Sequence, residues 1–231
     1  MSLDTHEKGE AKMKSNSQLQ NDVEAELMWE PGVDAEDIGV IVKDGVVTLT
    51  GTVDSYFEKM SAMNAAKRVA GVKALAVEIE VRVPGMNKRT DADIARAAEN
   101  ALAWDTSVPE DRIKVTVDQG WITLDGKVDW NYQKKAAEDA VHYLTGVKGI
   151  SNLITITPTQ KVSPAEVKAN IEKALKRNAT LEAQRITVTA AGARVTLSGS
   201  VRSLADREEA ERAALNAPGV LEVEDEIDIA A

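Results

Sequence analysis

Gly45-Val46-Val47-Thr48-Leu49-Thr50-Gly51-Thr52-Val53 decides the fold, because the chain spells it three times. It recurs as Gly120-Trp121-Ile122-Thr123-Leu124-Asp125-Gly126-Lys127-Val128. With alanine in first place it recurs again as Ala193-Arg194-Val195-Thr196-Leu197-Ser198-Gly199-Ser200-Val201. The steps are 75 residues from Gly51 to Gly126 and 73 from Gly126 to Gly199, and outlying landmarks keep them: Leu27, Leu102 and Leu175; Ile38, Ile113 and Ile186; Gly71, Gly146 and Gly219. Self-similarity held at a fixed period implies three copies of one supersecondary unit. The boundaries it gives are residues 17–84, 90–157 and 163–231, preceded by a disordered polar leader, 1–16.

Each unit reads as α-β-β-α-β. Leu19, Val23 and Leu27 recur every four residues and draw one apolar stripe along a first helix, as do Ile94, Ala98, Leu102 and Val167, Ile171, Leu175. Ser163-Pro164-Ala165-Glu166 carries a capping box with proline at the first helical position, and Ser17-x-x-Gln20 is its weaker counterpart in the first unit. Alternation at Ile38, Val40, Val42 and at Val47, Leu49, Val53 marks two strands. Asp44-Gly45 between them suits a type I′ turn, and Gln119-Gly120 and Gly192-Ala193 replace it later.

The second helix has a small buried face: Ala62, Ala66, Val69; Ala137, Val141, Leu144; Ala210, Ala214, Ala217. Gly51, Gly126 and Gly199 are expected where the backbone is approached most closely, and Gly71, Gly146 and Gly219 as C′ glycines. A last strand, such as Leu75 to Val81, runs parallel to the second by the right-handed crossover rule. The fold class is therefore α+β: three tandem small αββαβ domains, each a three-stranded mixed sheet packed with two helices. Units of this size sit near the lower limit for a self-sufficient core, so neighbours should lean on one another.

Composition narrows the function. The 231 residues hold 38 acidic and 28 basic side chains, a net charge of −10, with no cysteine and two histidines, His6 and His142. Thiolate chemistry is excluded, and converging metal ligands are absent from the pattern. No basic stripe exists to meet a phosphate backbone, so no nucleic acid is expected. No apolar run approaches a membrane span and residues 1–16 lack a secretory core, so the chain reads as not transmembrane and cytoplasmic. No nucleophile–base set or phosphate-cradling glycine loop appears; neither an enzyme nor a cofactor is expected.

The Val/Ile-x-Leu-x-Gly-x-Val strand, the Ala-rich second helix, the glycine-valine after it, and Ile150-Ser151-Asn152-Leu153-Ile154 in the last strand together resemble the BON domain, named for bacterial OsmY and nodulation proteins. The first unit departs from the last motif with Val77 and the third with Asp225. The resemblance covers about 17 to 230. It implies a role in osmotic or envelope stress, with phospholipid surfaces or a transport-associated assembly as partners. Potassium binding in the cytoplasm is the alternative it implies, and a protein–protein adaptor is a third reading.

Two sets of residues are candidates for a lipid interface. Trp29 and Trp104 occupy equivalent ends of the first helix, with Arg177 there in the third unit, while Trp130 and Tyr132 gather at the start of a second helix with Tyr56 and Phe57. Amphipathic rings favour the headgroup layer, but they also fill domain contacts. Arg194, Arg202 and Arg207, with Arg177, would attract an anionic leaflet if they shared a face; pairing with Glu208, Glu209 and Glu211 is the competing reading. The acids of the last strand, Glu222, Glu224, Glu226 and Asp228, alternate as a solvated face does. Asn152 and Asp225 interrupt inward series and are expected to satisfy backbone groups.

Overall fold

The computed structural model describes residues 14–157, 163–178 and 185–230; residues 158–162, between the second and third units, and nearly all of the expected leader lie outside them. The first unit comprises α1 (Asn16–Trp29), β1 (Ile38–Lys43), β2 (Val46–Val53), α2 (Tyr56–Arg68) and β3 (Ala74–Val81). The second comprises α3 (Asp91–Trp104), β4 (Ile113–Asp118), β5 (Trp121–Val128), α4 (Asn131–His142), β6 (Gly149–Asn152) and β7 (Thr155–Ile156). The third comprises α5 (Pro164–Arg177), β8 (Ile186–Ala191), β9 (Arg194–Val201), α6 (Leu204–Leu215) and β10 (Glu222–Ile229).

The helices start where side chains can satisfy their open N–H groups. Thr90 with Asp93 and Ser163 with Glu166 form capping boxes. In the first unit the box is Ser15 with Gln18, two residues before the expected Ser17–Gln20, and the helix begins inside the expected leader. The first helix also locks the hairpin. The Asn16 side-chain oxygen accepts from Asp44 N at 3.0 Å, and the Asp91 carboxylate accepts from Gln119 N and Gly120 N, both at 2.9 Å.

The hairpin strand that carries the repeated motif is central in every sheet. β2 pairs antiparallel with β1 (Ile38↔Gly51 to Lys43↔Val46) and parallel with β3 (Val46↔Ala74 to Val53↔Val81). The third sheet repeats this with β9 between β8 and β10. In the second, the last strand is split: Asn152 ends β6, its oxygen accepting from Ile154 N, and β7 resumes beside β5. Asp44 and Gly45 both have positive φ (52° and 84°), as a type I′ turn demands, and so do Gln119 and Gly120. In the third turn positive φ is confined to Gly192, the type II′ pattern.

Both helices of a unit cover one face of its sheet. Leu19, Val23, Leu27, Val47, Leu49 and Ile79 form the first core, closed by Ala62, Ala65 and Ala66, all three fully buried. The motif glycine marks a close backbone approach, as expected, but the approaching backbone is that of the neighbouring strand's start. Gly51 stands at φ 131°, and a Cβ there would lie 2.0 Å from the Asp37 carbonyl oxygen, not against the helix. Gly126 and Gly199 meet the carbonyls of Arg112 and Arg185 in the same way. Gly71, Gly146 and Gly219 also have positive φ, but the caps of α2, α4 and α6 are Val69, Tyr143 and Asn216. These glycines therefore turn the chain into the last strand rather than occupying C′.

The three units close on one another. Tyr56 packs on the second unit's core, and the neighbouring Phe57 ring lies 5.3 Å from that of Tyr143. Asn131 donates to Asn216 at 3.4 Å. Leu204 packs on the first unit's core, where Gly71 N donates to the Arg202 carbonyl at 3.1 Å and Lys67 pairs with Glu208 at 2.6 Å. Tyr56, Asn131 and Leu204 are the first residues of α2, α4 and α6, separated by the same steps of 75 and 73. Each second helix thus starts against the end of the next one, and the third returns to the first. A head-to-tail contact that closes after three copies is a ring, here written within one chain.

Candidate functional site

Trp29 and Trp104 are the most exposed aromatic residues, at 82% and 87%. Helix geometry puts them there. Leu27 and Leu102 point into their cores, and a residue two places on is turned by about 200°. Each helix stops at the tryptophan because the next residue, Glu30 or Asp105, is extended, its N–H bonded back to Leu27 or Leu102. Arg177 follows Leu175 identically and is exposed at the end of α5. These three positions are equivalent in the repeat, and Met28, 72% exposed, stands beside the first.

The other sequence candidates are dispersed. Trp130 is half-buried and stacked on Tyr132, centroids 6.5 Å apart. Trp130 replaces the capping serine of the other units, and the Gln133 side chain reaches back to accept from Asp129 N and Trp130 N just ahead of α4. Arg194 pairs with Glu222 at 2.8 Å across β9 and β10. Arg207 turns onto Asp225, which neutralises its charge while leaving the side chain one-third exposed. Arg202 gives its carbonyl to the seam between the third and first units. Arg194 and Arg207 thus pair with acids of the last strand and not with the second-helix acids the sequence suggested. Asp225 also accepts from Ile227 N, and Asn152 donates to the Lys134 carbonyl, so both satisfy backbone groups.

Tyr56 and Phe57 fill a seam. Burial, then the nearby Glu138 carboxylate, raises the Tyr56 phenol above its usual range. Across the same seam, burial lowers His142 against the opposing pull of Asp139. Sequence reasoning passed over Trp121. Its indole lies across Gly149 on the open face of the second sheet and donates to Ser151 Oγ at 2.9 Å. A glycine at its parallel-register partner was the available signal. Among the described residues, no group of three or more His, Asp or Glu is arranged to hold a metal ion, and no helix is long and apolar enough to cross a membrane.

Three αββαβ modules with an Ala-rich second helix and a glycine-bearing central strand define a class, and comparison with known families agrees. The BON domain model matches residues 15–83, 90–158 and 163–231. The chain belongs to the BON domain family. It is similar to osmotically-inducible protein Y of Escherichia coli (strain K12), 33% identical over 134 residues, which is 56% of this chain and 67% of that protein. Among solved structures it aligns with CdsD, a structural protein of the type III secretion system of Chlamydia trachomatis. That match has 13% identity and a TM-score of 0.25 over 90% of each chain, too distant to bear on function.

Proposed function

We propose that this is a non-catalytic, osmotic-stress-related binding protein that associates with phospholipid surfaces through the face bearing Trp29, Trp104 and Arg177. The carrying observation is the exposure of two equivalent indoles, 82% and 87%, each at the end of its unit's first helix. Water-exposed indoles at that density find their favourable environment in the headgroup layer, where one edge is apolar and the other wet. Removing half of a ring's roughly 200 Å² from water is worth about 2–3 kcal/mol. Arg177 adds about 1 kcal/mol beside an anionic leaflet. Separately these are weak; presented together by one rigid body they add, because the later contacts are intramolecular. The relative named for osmotic induction supports the stress-related part of this reading.

Flotation with phosphatidylglycerol vesicles tests it. Wild-type protein is expected to float with vesicles at low ionic strength and to detach partly as salt rises. The Trp29→Ser/Trp104→Ser double variant should stay at the bottom of the gradient. Wild-type protein that remains unbound at low salt, or a double variant that floats equally well, overturns the proposal.

A further inference from the structure

A second feature, independent of the tryptophan face, lies between the first and second units. A cleft of about 680 Å³ opens there, lined by the end of β3, the connecting segment before α3, and the turn into β6. Four cationic side chains converge on it, Arg82, Lys88, Arg89 and Lys148, against two carboxylates, Glu80 and Asp91. Both carboxylates are engaged: Glu80 pairs with Arg82 at 2.8 Å, and Asp91 accepts the two backbone N–H groups of the hairpin turn. Arg89 bonds only to the neutral carbonyls of Met86 and Lys88, at 3.2 and 2.9 Å. Lys88 forms no ion pair among the described residues, and Lys148 acts on Glu80 only at longer range, behind Arg82. The cleft is therefore electropositive in a chain whose net charge is −10.

The other repeats supply an internal control. Arg89 and Lys148 correspond to Lys14 and Lys73 of the first unit. There Lys14 is neutralised by Asp22 at 2.6 Å and bonds to the Ala70 carbonyl at 3.1 Å. One repeat on, the position of Asp22 is Ala97, so the neutralising acid is gone while the cation is kept. In the third unit the same two positions are Val162 and Leu221, and no charge is placed at all. The open cationic corner thus belongs to the second unit alone, and the first unit's last strand and the connecting segment complete it with Arg82 and Lys88.

The geometry points to a binding site for a phosphate group in this cleft, carried either by a small soluble phosphate ester or by a lipid headgroup. Guanidinium and ammonium groups from separate elements match the several acceptor oxygens of a phosphate. The volume leaves room for more than the bare ion. This site needs no contact from Trp29 or Trp104.

Isothermal titration in phosphate-free buffer at low ionic strength, with pyrophosphate and glycerol 3-phosphate as probes, runs beside flotation with phosphatidylglycerol vesicles. The variants are Arg89→Ala/Lys148→Ala and, as the matched control, Lys73→Ala, each checked by thermal melting. Wild type and Lys73→Ala should bind at least one probe, and the double variant should bind it about tenfold more weakly or worse. Saturable heat with the soluble probes identifies a free phosphate ester. Heat absent but vesicle binding lost in the double variant identifies a headgroup, and Trp29→Ser/Trp104→Ser, which removes the tryptophan face alone, should keep any heat that wild type shows with the soluble probes. If wild type binds neither soluble probes nor vesicles, or if the double variant and Lys73→Ala behave alike, no such site exists.

Discussion

Gly51 illustrates what one residue decides. At φ 131° with the Asp37 carbonyl 2.0 Å from where a Cβ would sit, the position excludes every side chain on two counts. Gly51→Ala should cost at least about 3 kcal/mol in urea denaturation, whereas Gly85→Ala, with open space around it and no positive φ, should stay within about 0.5 kcal/mol. The glycine was visible in the sequence as the fixed point of the repeat. Its partner was not, because a close approach to a carbonyl leaves no trace in the residue that owns the carbonyl.

His142 gives a residue-scale pH dependence. Burial lowers its folded pKa below 6.5, so between that lowered value and 6.5 the unfolded state binds more protons. Stability therefore rises with pH through this window and falls as pH drops below about 6.5. The difference in urea midpoint between pH 7.5 and pH 5.5 should shrink in His142→Gln; an unchanged difference would assign the effect elsewhere.

At the scale of elements, the sequence was most legible where a helix or strand announces itself by periodicity. Leu19, Val23 and Leu27 are all buried, and so are their counterparts in α3 and α5. Caps were less legible, because serines crowd the start of α1: Ser15 and Ser17 both precede a glutamine by three residues, and only the fold selects Ser15. Ser163 has no such rival. Ser163→Ala removes its acceptor from Glu166 N and should lower stability by about 1 kcal/mol, measured by the thermal midpoint. Strand order was open in the sequence, since a right-handed crossover fixes direction but not neighbour. The central place of β2 follows from what it buries: Val47, Leu49 and Val53 are at most 3% exposed and carry the core from both partners.

The ring is the property of the whole molecule, and the sequence hid it. Its three seams use one repeat position, but the residues there, Tyr56, Asn131 and Leu204, share no chemistry. Two of those seams bury an apolar side chain, while the one between the second and third units shows a hydrogen bond between Asn131 and Asn216. Leu204→Asp would place a charge on the first unit's core and should open the contact of first and third units. Small-angle scattering should then report a larger radius of gyration with the far-ultraviolet circular dichroism kept; an unchanged radius would mean that this contact does not hold the ring closed. Candidate interface residues were legible as types but not as a set. Trp29 and Trp104 stand out in the sequence, whereas the turn of Arg207 onto Asp225 depends on a contact across 18 positions.

If the proposed function holds, Trp29 and Trp104 enter a bilayer together. In a Trp121→Phe/Trp130→Phe background these two indoles are the only emitters. Their fluorescence is measured on phosphatidylglycerol vesicles with acyl chains brominated near the headgroup, and again after removing either one. Quenching of both, to a similar extent, is expected. Emission unchanged by the brominated lipid, or quenching confined to a single tryptophan, would contradict it.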